Sequence, residues 1–191
     1  QSDHIALGFQ FLPKESTRLT VEGFYKFYSN YPVSVRTGIS QANQGAQFTS
    51  VGNEEVVSIG KGETYGVEIF YQQKLVKNLF YTASATVYRS LFSGRDGKLI
   101  ASSWDFGYLV SATLGRKFKG GWEMGLKYRL AGGAPYTPFD PILSRRNYLI
   151  SGAGTLDFDQ LNSVRLLPFN QFDFRLDKKV NFKKVTLDLF I

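Results

Sequence analysis

Arg145 and Arg146 stand side by side between Tyr136 and Tyr148, in a stretch punctuated by Pro135, Pro138 and Pro141. Adjacent guanidinium groups near tyrosine hydroxyls suit an anionic ligand, because each planar fork donates paired hydrogen bonds to an anionic oxygen pair. The same four residues equally suit ion pairs between loops. Other candidate chemistry is sparse. His4 is the only histidine and there is no cysteine. A Ser-His-Asp site would have to use His4, which lies beside Asp3 with no serine pattern around it, so a surface role fits it better. Thiolate metal sites and disulfides are excluded. Gly60-Lys61-Gly62 lacks the spacing of a phosphate loop. Asp140, Asp157 and Asp159 offer oxygen ligands for calcium, but without the spacing of a calcium loop they read as solvated loop acids. No catalytic residue, resident metal or cofactor is expected.

A second set of charges recurs at every other position. Glu123, Lys127 and Arg129 alternate with Trp122, Met124, Leu126, Tyr128 and Leu130, and Asp173, Arg175, Asp177 and Lys179 alternate with Phe172, Phe174 and Leu176. Glu68 lies opposite Tyr65, Val67, Ile69 and Tyr71 in the same fashion, and Asp188 opposite Val185, Leu187, Leu189 and Ile191. Period two over such lengths means strands with one apolar and one polar face.

Eight such strands are expected: Asp3–Leu12, Thr17–Ser29, Thr64–Leu75, Leu79–Phe92, Trp104–Phe118, Trp122–Ala131, Phe169–Val180 and Val185–Ile191. Most approach the ~9–11 residues that cross a bilayer as a tilted strand. Their connections alternate. Short turns fall at Pro13–Ser16, Val76–Asn78, Lys117–Gly121 and Asn181–Lys184. Long loops fall at about Asn30–Glu63, Ser93–Ser103 and Gly132–Pro168. Short turns at one end and long loops at the other mark an outer-membrane barrel, with apolar faces toward lipid and charges toward the lumen. Aromatic residues near strand ends (Phe27, Tyr28, Tyr31; Phe80, Tyr81; Trp104, Phe106, Tyr108; Phe118, Trp122) are expected to form the two interfacial girdles.

Bulk properties agree. The chain has 191 residues, 17 Phe, 11 Tyr and 19 Gly, a mixture that favours strands and turns over helices. No run approaches the ~20 apolar residues of a membrane helix. The net charge of +7 suggests nucleic acid until its distribution is considered. The windows around the short turns hold ten basic residues, Lys14, Lys74, Lys77, Arg116, Lys117, Lys119, Lys178, Lys179, Lys183 and Lys184, against Glu15 and Asp177. The rest of the chain is close to neutral. This is a basic rim facing anionic headgroups, and no nucleic-acid partner is expected.

The polar faces carry twelve charges, Glu22, Lys26, Glu68, Lys74, Glu123, Lys127, Arg129, Asp173, Arg175, Asp177, Lys179 and Asp188. An eight-stranded barrel has room for little more than side chains, whereas barrels of roughly 22 strands hold a plug that wall charges can meet. The fold class expected is therefore all-β, an antiparallel up-and-down transmembrane barrel segment of about eight strands within a larger barrel. A complete eight-stranded barrel with an anchoring role is the alternative.

Four passages carry a family likeness: Gly62-Glu63-Thr64-Tyr65-Gly66-Val67-Glu68, Gly132-Gly133-Ala134-Pro135-Tyr136-Thr137-Pro138, Pro168 through Lys179, and Leu187-Asp188-Leu189-Phe190-Ile191. In order and spacing the chain resembles the C-terminal barrel portion of a TonB-dependent outer-membrane receptor, of the type common in Bacteroidetes. That resemblance implies that residues 1–191 form part of one barrel domain, with the plug domain, earlier strands and last strand outside the chain. It implies active uptake of a scarce nutrient: a ferric siderophore, cobalamin, an oligosaccharide or a peptide. Long loops would be extracellular and bind ligand (Tyr136, Arg145, Arg146, Tyr148), and short turns would be periplasmic. Glu68, Glu123, Lys127, Arg129, Asp173, Arg175 and Asp177 would face the lumen and meet the plug. The partners implied are outer-membrane lipid and lipopolysaccharide, the plug of the same polypeptide, the TonB complex and the nutrient.

Overall fold

The computed structural model describes residues 1–45 and 53–191; the middle of the first long loop, residues 46–52, lies outside them. The strands are β1 (Ser2–Lys14), β2 (Thr17–Ser34), β3 (Val56–Val76), β4 (Leu79–Ser93), β5 (Leu99–Ala101), β6 (Tyr108–Lys117), β7 (Trp122–Ala131), β8 (Pro135–Tyr136), β9 (Val164–Arg165), β10 (Phe169–Asn181) and β11 (Thr186–Phe190), with one α-helix, α1 (Pro141–Ser151). One antiparallel sheet runs in the order β1-β2-β3-β4-β6-β7-β10-β11, with the short β5 paired to β4. Each main strand pairs with the main strands before and after it in the chain. β1 and β11 are edges and are not paired to one another, so these strands do not form the closed eight-stranded barrel of the alternative reading.

The turns dictate the short end. Val76 pairs with Leu79, leaving Lys77 (φ 48°) and Asn78 (φ 65°) as a two-residue turn whose left-handed backbone matches the twist of the flanking strands. At the long end, β2 and β3 reach further than the alternation suggests, to Ser34 and from Val56. A bulge between Tyr28 and Tyr31, with Asn30 at φ 55°, shifts the register there and ends the clean period-two pattern. The expected strand start at Trp104 is wrong: β6 begins at Tyr108, after Gly107 at φ 80°. The aromatics of that stretch outweighed its turn signals in the reading of the pattern. No described helix is long and apolar enough to cross a membrane, which says nothing of strands.

Register puts all apolar positions on one side. Leu7 pairs with Gly23, Gly23 with Val67, Val67 with Val87, and Val87 with Tyr108. Further along, Leu114 pairs with Leu126, and Leu126 with Phe174. These side chains are bare: Leu7 is 83% exposed, Val87 66% and Phe172 64%. A soluble sheet would cover such a face, since each large apolar side chain left in water forfeits about 1.5–3 kcal/mol. A contiguous patch this large marks a surface for lipid. The girdles are also refined. Tyr25, Phe27, Tyr65 and Tyr108 face outward at the loop end, with Tyr25 stacked on Phe27 (4.3 Å) and Tyr65 (5.4 Å). Tyr71, Tyr81 and Trp122 do so at the turn end. Tyr28 and Phe80 instead fall on the polar side, and Trp104 and Phe106 lie outside the strands. Phe80 lies over Gly115, where a Cβ would meet its ring at 2.2 Å.

The buried side chains are not in the sheet's middle. Val33, Ala42 and Phe92 are the buried hydrophobics among the described residues, joined by Ser34, Ser40, Asn43, Ser102, Ser103, Asp105, Thr137 and Asn162. They gather where the long loops meet. The sheet is one layer thick, and the long loops supply a packed cap.

Candidate functional site: the lumen wall and the outer loops

The polar face runs continuously across the sheet. Glu22 pairs with Glu68, Glu68 with Thr86, Ser111 with Arg129, Thr113 with Lys127, Lys127 with Asp173, Gly125 with Arg175, Glu123 with Asp177 and Lys179 with Asp188. All seven lumen residues expected from alternation therefore share one face. They do not behave alike.

Toward β11 the charges satisfy one another. Arg175 grips Asp177 (Nη2–Oδ1 2.6 Å, with Nε at 3.0 Å from both carboxylate oxygens). Its guanidinium also lies 4.6 Å from the Phe190 ring. Arg129 donates to Gln171 at 2.7 Å and lies 3.9 Å from Asp173. Gln171 in turn donates to Asp173 at 2.8 Å, and Lys179 lies 3.8 Å from Asp188.

Toward β1 they do not. Glu22 and Glu68 are directly opposed across β2 and β3, and among the described residues neither has an ion pair. The Glu22 carboxylate leans over Gly8, where a Cβ would sit 3.4 Å away, and so tilts toward β1. Both acids line a hollow of about 380 Å³ with His4, Lys26, Thr64 and Tyr88. His4, expected at a surface or girdle, faces this hollow opposite Lys26. Like charges opposed across strands repel, and a cation between them removes the penalty.

The outer loops are pinned by polar side chains that sequence reasoning missed. Asp105 is fully buried and meets Arg89 (Nε–Oδ2 3.1 Å), Arg165 (Nη2–Oδ2 2.7 Å) and the Ser90 amide (3.0 Å). Arg165 also donates to the carbonyls of Asp105 and Gly133. One carboxylate thus ties β4 to the second and third long loops. Asn162 donates to the carbonyls of Asn43 and Ala101, both at 2.8 Å, and Asn43 donates to those of Ile100 and Ala101 at 3.0 Å. The first loop is braced at its base by Glu54, which accepts from Ser34 (2.8 Å) and Arg36 (3.4 Å). The Ser34 hydroxyl first, then Arg36, holds the Glu54 carboxyl below the usual range, against a smaller upward push from desolvation. Buried polar groups must find partners, and these find them in other loops.

The four expected ligand residues are only partly together. Arg145, Arg146 and Tyr148 lie exposed on α1, whereas Tyr136 is in β8, paired with Val164. The helix was not expected, yet its signals are in the chain. Asp140 caps the N-terminus by accepting from the amides of Ile142 and Leu143, Pro141 occupies the first turn, and Gly152 closes the C-terminus at φ 67°. Ser144 and Asn147 turn inward onto Thr155, which leaves Ile142 (78%), Leu149 (94%) and Ile150 (89%) bare beside the arginines. The acids considered for calcium serve elsewhere: Asp140 caps α1, and Asp157 accepts from the Asp159 amide and from Gln160. Among the described residues no three metal-binding side chains gather.

A single-layer antiparallel sheet with a bare apolar outer face, a charged inner face, short turns at one rim and a loop cap at the other is the wall of an outer-membrane β-barrel, with its long loops extracellular. Comparison narrows the class. The family model described as TonB dependent receptor-like, beta-barrel matches residues 1–191, and the chain belongs to that family. Solved structures share the fold. The ferric-catecholate import receptor Fiu of E. coli K12, in its closed form, aligns with TM-score 0.61 at 12% identity over 94% of this chain. The FrpB iron transporter of Neisseria meningitidis (F3-3 variant) aligns with TM-score 0.61 at 16% identity over 93%. The pyoverdine receptor FpvA of Pseudomonas aeruginosa PAO1, bound to pyoverdine, aligns with TM-score 0.57 at 14% identity over 93%. The chain spans 21%, 24% and 23% of these three proteins. No curated protein matches by sequence. Nothing in these likenesses supports the expected Bacteroidetes character.

Proposed function

We propose that the chain forms one arc of a single barrel domain in a TonB-dependent importer that takes up a scarce nutrient, a ferric siderophore, cobalamin, an oligosaccharide or a peptide. The observation that carries this reading is the opposed Glu22–Glu68 pair on an otherwise self-neutralising inner wall. Two carboxylates held face to face call for a cation from the interior, and a plug domain of the same polypeptide supplies one. Glu68 and Glu22 then form the plug seat. Glu123, Lys127, Arg129, Asp173, Arg175 and Asp177 line the lumen with weaker plug contacts, because several already have partners on the wall.

In this reading Tyr136, Arg145, Arg146 and Tyr148 meet nutrient at the outer surface, lipopolysaccharide surrounds the apolar face, and the TonB complex acts from the periplasmic side on the plug. The chain has no catalytic role. The test is uptake of labelled nutrients by cells with and without the gene, repeated in cells lacking TonB. Uptake that needs both supports the assignment; uptake that persists without TonB overturns it. Changing Arg145 and Arg146 together to alanine lowers ligand affinity if they contact it, and unchanged affinity removes them from the site.

A further inference from the structure

A cleft of about 550 Å³ opens among the three long loops. Its size is that of a small-molecule site. Four charged side chains line it, Arg36 and Arg95 of one sign and Asp96 and Asp159 of the other. Between them lie the apolar side chains of Ile39, Phe158 and Leu161.

The walls are held in place from behind. Asn43 is a wall residue, 2% exposed, and its amide group bonds the second loop while Asn162 bonds its carbonyl. The first and second loops touch backbone to backbone. The Arg95 amide donates to the Gly38 carbonyl at 2.8 Å, and a Cβ on Gly94 would lie 2.2 Å from that same oxygen. Loops tied in this way present a pre-formed concavity, and a ligand entering it avoids the cost of ordering them.

The charges define what fits. Arg36 is paired with Glu54, but the Arg95 guanidinium bonds only the Val35 carbonyl among the described residues. Asp96 accepts from the Lys98 amide, and neither it nor Asp159 has an ion pair there. A polyanion meets two carboxylates, and a polycation meets two guanidinium groups. A molecule with both charges about an apolar body meets neither penalty. We propose that this cleft binds a zwitterionic, partly apolar ligand of peptide chemistry, its carboxylate on Arg95, its ammonium on Asp96 or Asp159, and its apolar side chain on Phe158 and Leu161. The inference rests on the import reading above and names the ligand class for it.

The test exposes the intact detergent-purified protein to a mixture of free tripeptides, and separately to the same mixture acetylated and amidated at its ends, with retained peptides read by mass spectrometry. Free tripeptides are retained, and capping weakens retention about tenfold, the worth of one charge-assisted contact. Arg95→Ala and Asp159→Ala each produce a similar loss for free peptides and none for capped ones. Asn162→Gly keeps the backbone (φ 51°) but removes both cross-loop bonds. It weakens binding and speeds hydrogen exchange at residues 41–44 and 99–103 together. Equal retention of free and capped peptides, retention of neither, or preference for a neutral trisaccharide overturns the proposal. TonB-dependent uptake that ignores these substitutions overturns the cleft alone. Peptide binding without TonB-dependent uptake overturns the import reading alone.

Discussion

The two halves of the inner wall carry similar residue types and treat them differently. On β7, β10 and β11, acids and bases alternate within reach, so Arg175 holds Asp177 and Arg129 approaches Asp173. On β2 and β3, register sets Glu22 against Glu68, and Lys26 stands one pleat away, over the Phe24 ring at 5.7 Å. The first half is complete by itself. The second is complete only when a positive group arrives. Charge on a barrel wall is therefore no measure of contact with the interior; what matters is whether a residue's neighbours already neutralise it.

Reversing the acidic pair breaks that contrast most severely. Glu22→Lys with Glu68→Lys turns a cation seat into a cation repeller, and losing a desolvated charge contact of about 3 kcal/mol shifts the seated population about a hundredfold. Rising sensitivity of cells to an antibiotic too large for porins measures it. Neutralisation by Glu22→Gln with Glu68→Gln acts in the same direction at about a tenth of that size, since the amides still accept hydrogen bonds. On the other half, Asp177→Asn leaves Arg175 without its bidentate partner. It lowers the thermal midpoint by about 2 °C without affecting permeability, and adding Arg175→Gln recovers part of the loss. Replacing Lys179 and Asp188 by Gln and Asn changes neither readout, because exposed pairs contribute almost nothing. A permeability effect from these β10 and β11 changes as large as that at β2 and β3 would erase the distinction.

Outside the wall, the smallest effect is acid sensitivity at Glu54. Its lowered pKa means the clamp on Ser34 and Arg36 contributes fully at neutral pH. The contribution starts to fade below the ordinary carboxylate value of about 4.3 and is gone once pH has fallen through the lowered folded value. Faster hydrogen exchange at residues 34–38 under acid, absent in Glu54→Gln, reports it.

The wall was legible because a strand's period is two residues. Trp122 through Leu130 state both faces and leave no other register for an amphipathic sheet. Three of the long-end features were not legible. The bulge at Asn30 hides the continuation of β2, Trp104 and Phe106 imitate a strand, and α1 was concealed by reading Arg145 and Arg146 as loop residues although Asp140-Pro141 and Gly152 frame a helix. Asp105, Asn43 and Asn162 gave no signal at all, since a buried polar residue in a loop looks like a solvated one until its partners are known.

By itself the sequence determined the membrane-spanning sheet, the facing of its side chains and the end at which the loops lie, because alternation and turn length are local properties. Only the tertiary structure decided which charges are paired. Glu22 lies opposite Glu68 through a 46-residue separation, Asp105 reaches Arg165 across 60, and Asn162 reaches Asn43 across 119. Pairing over such distances depends on register between strands and packing between loops, which no single segment encodes.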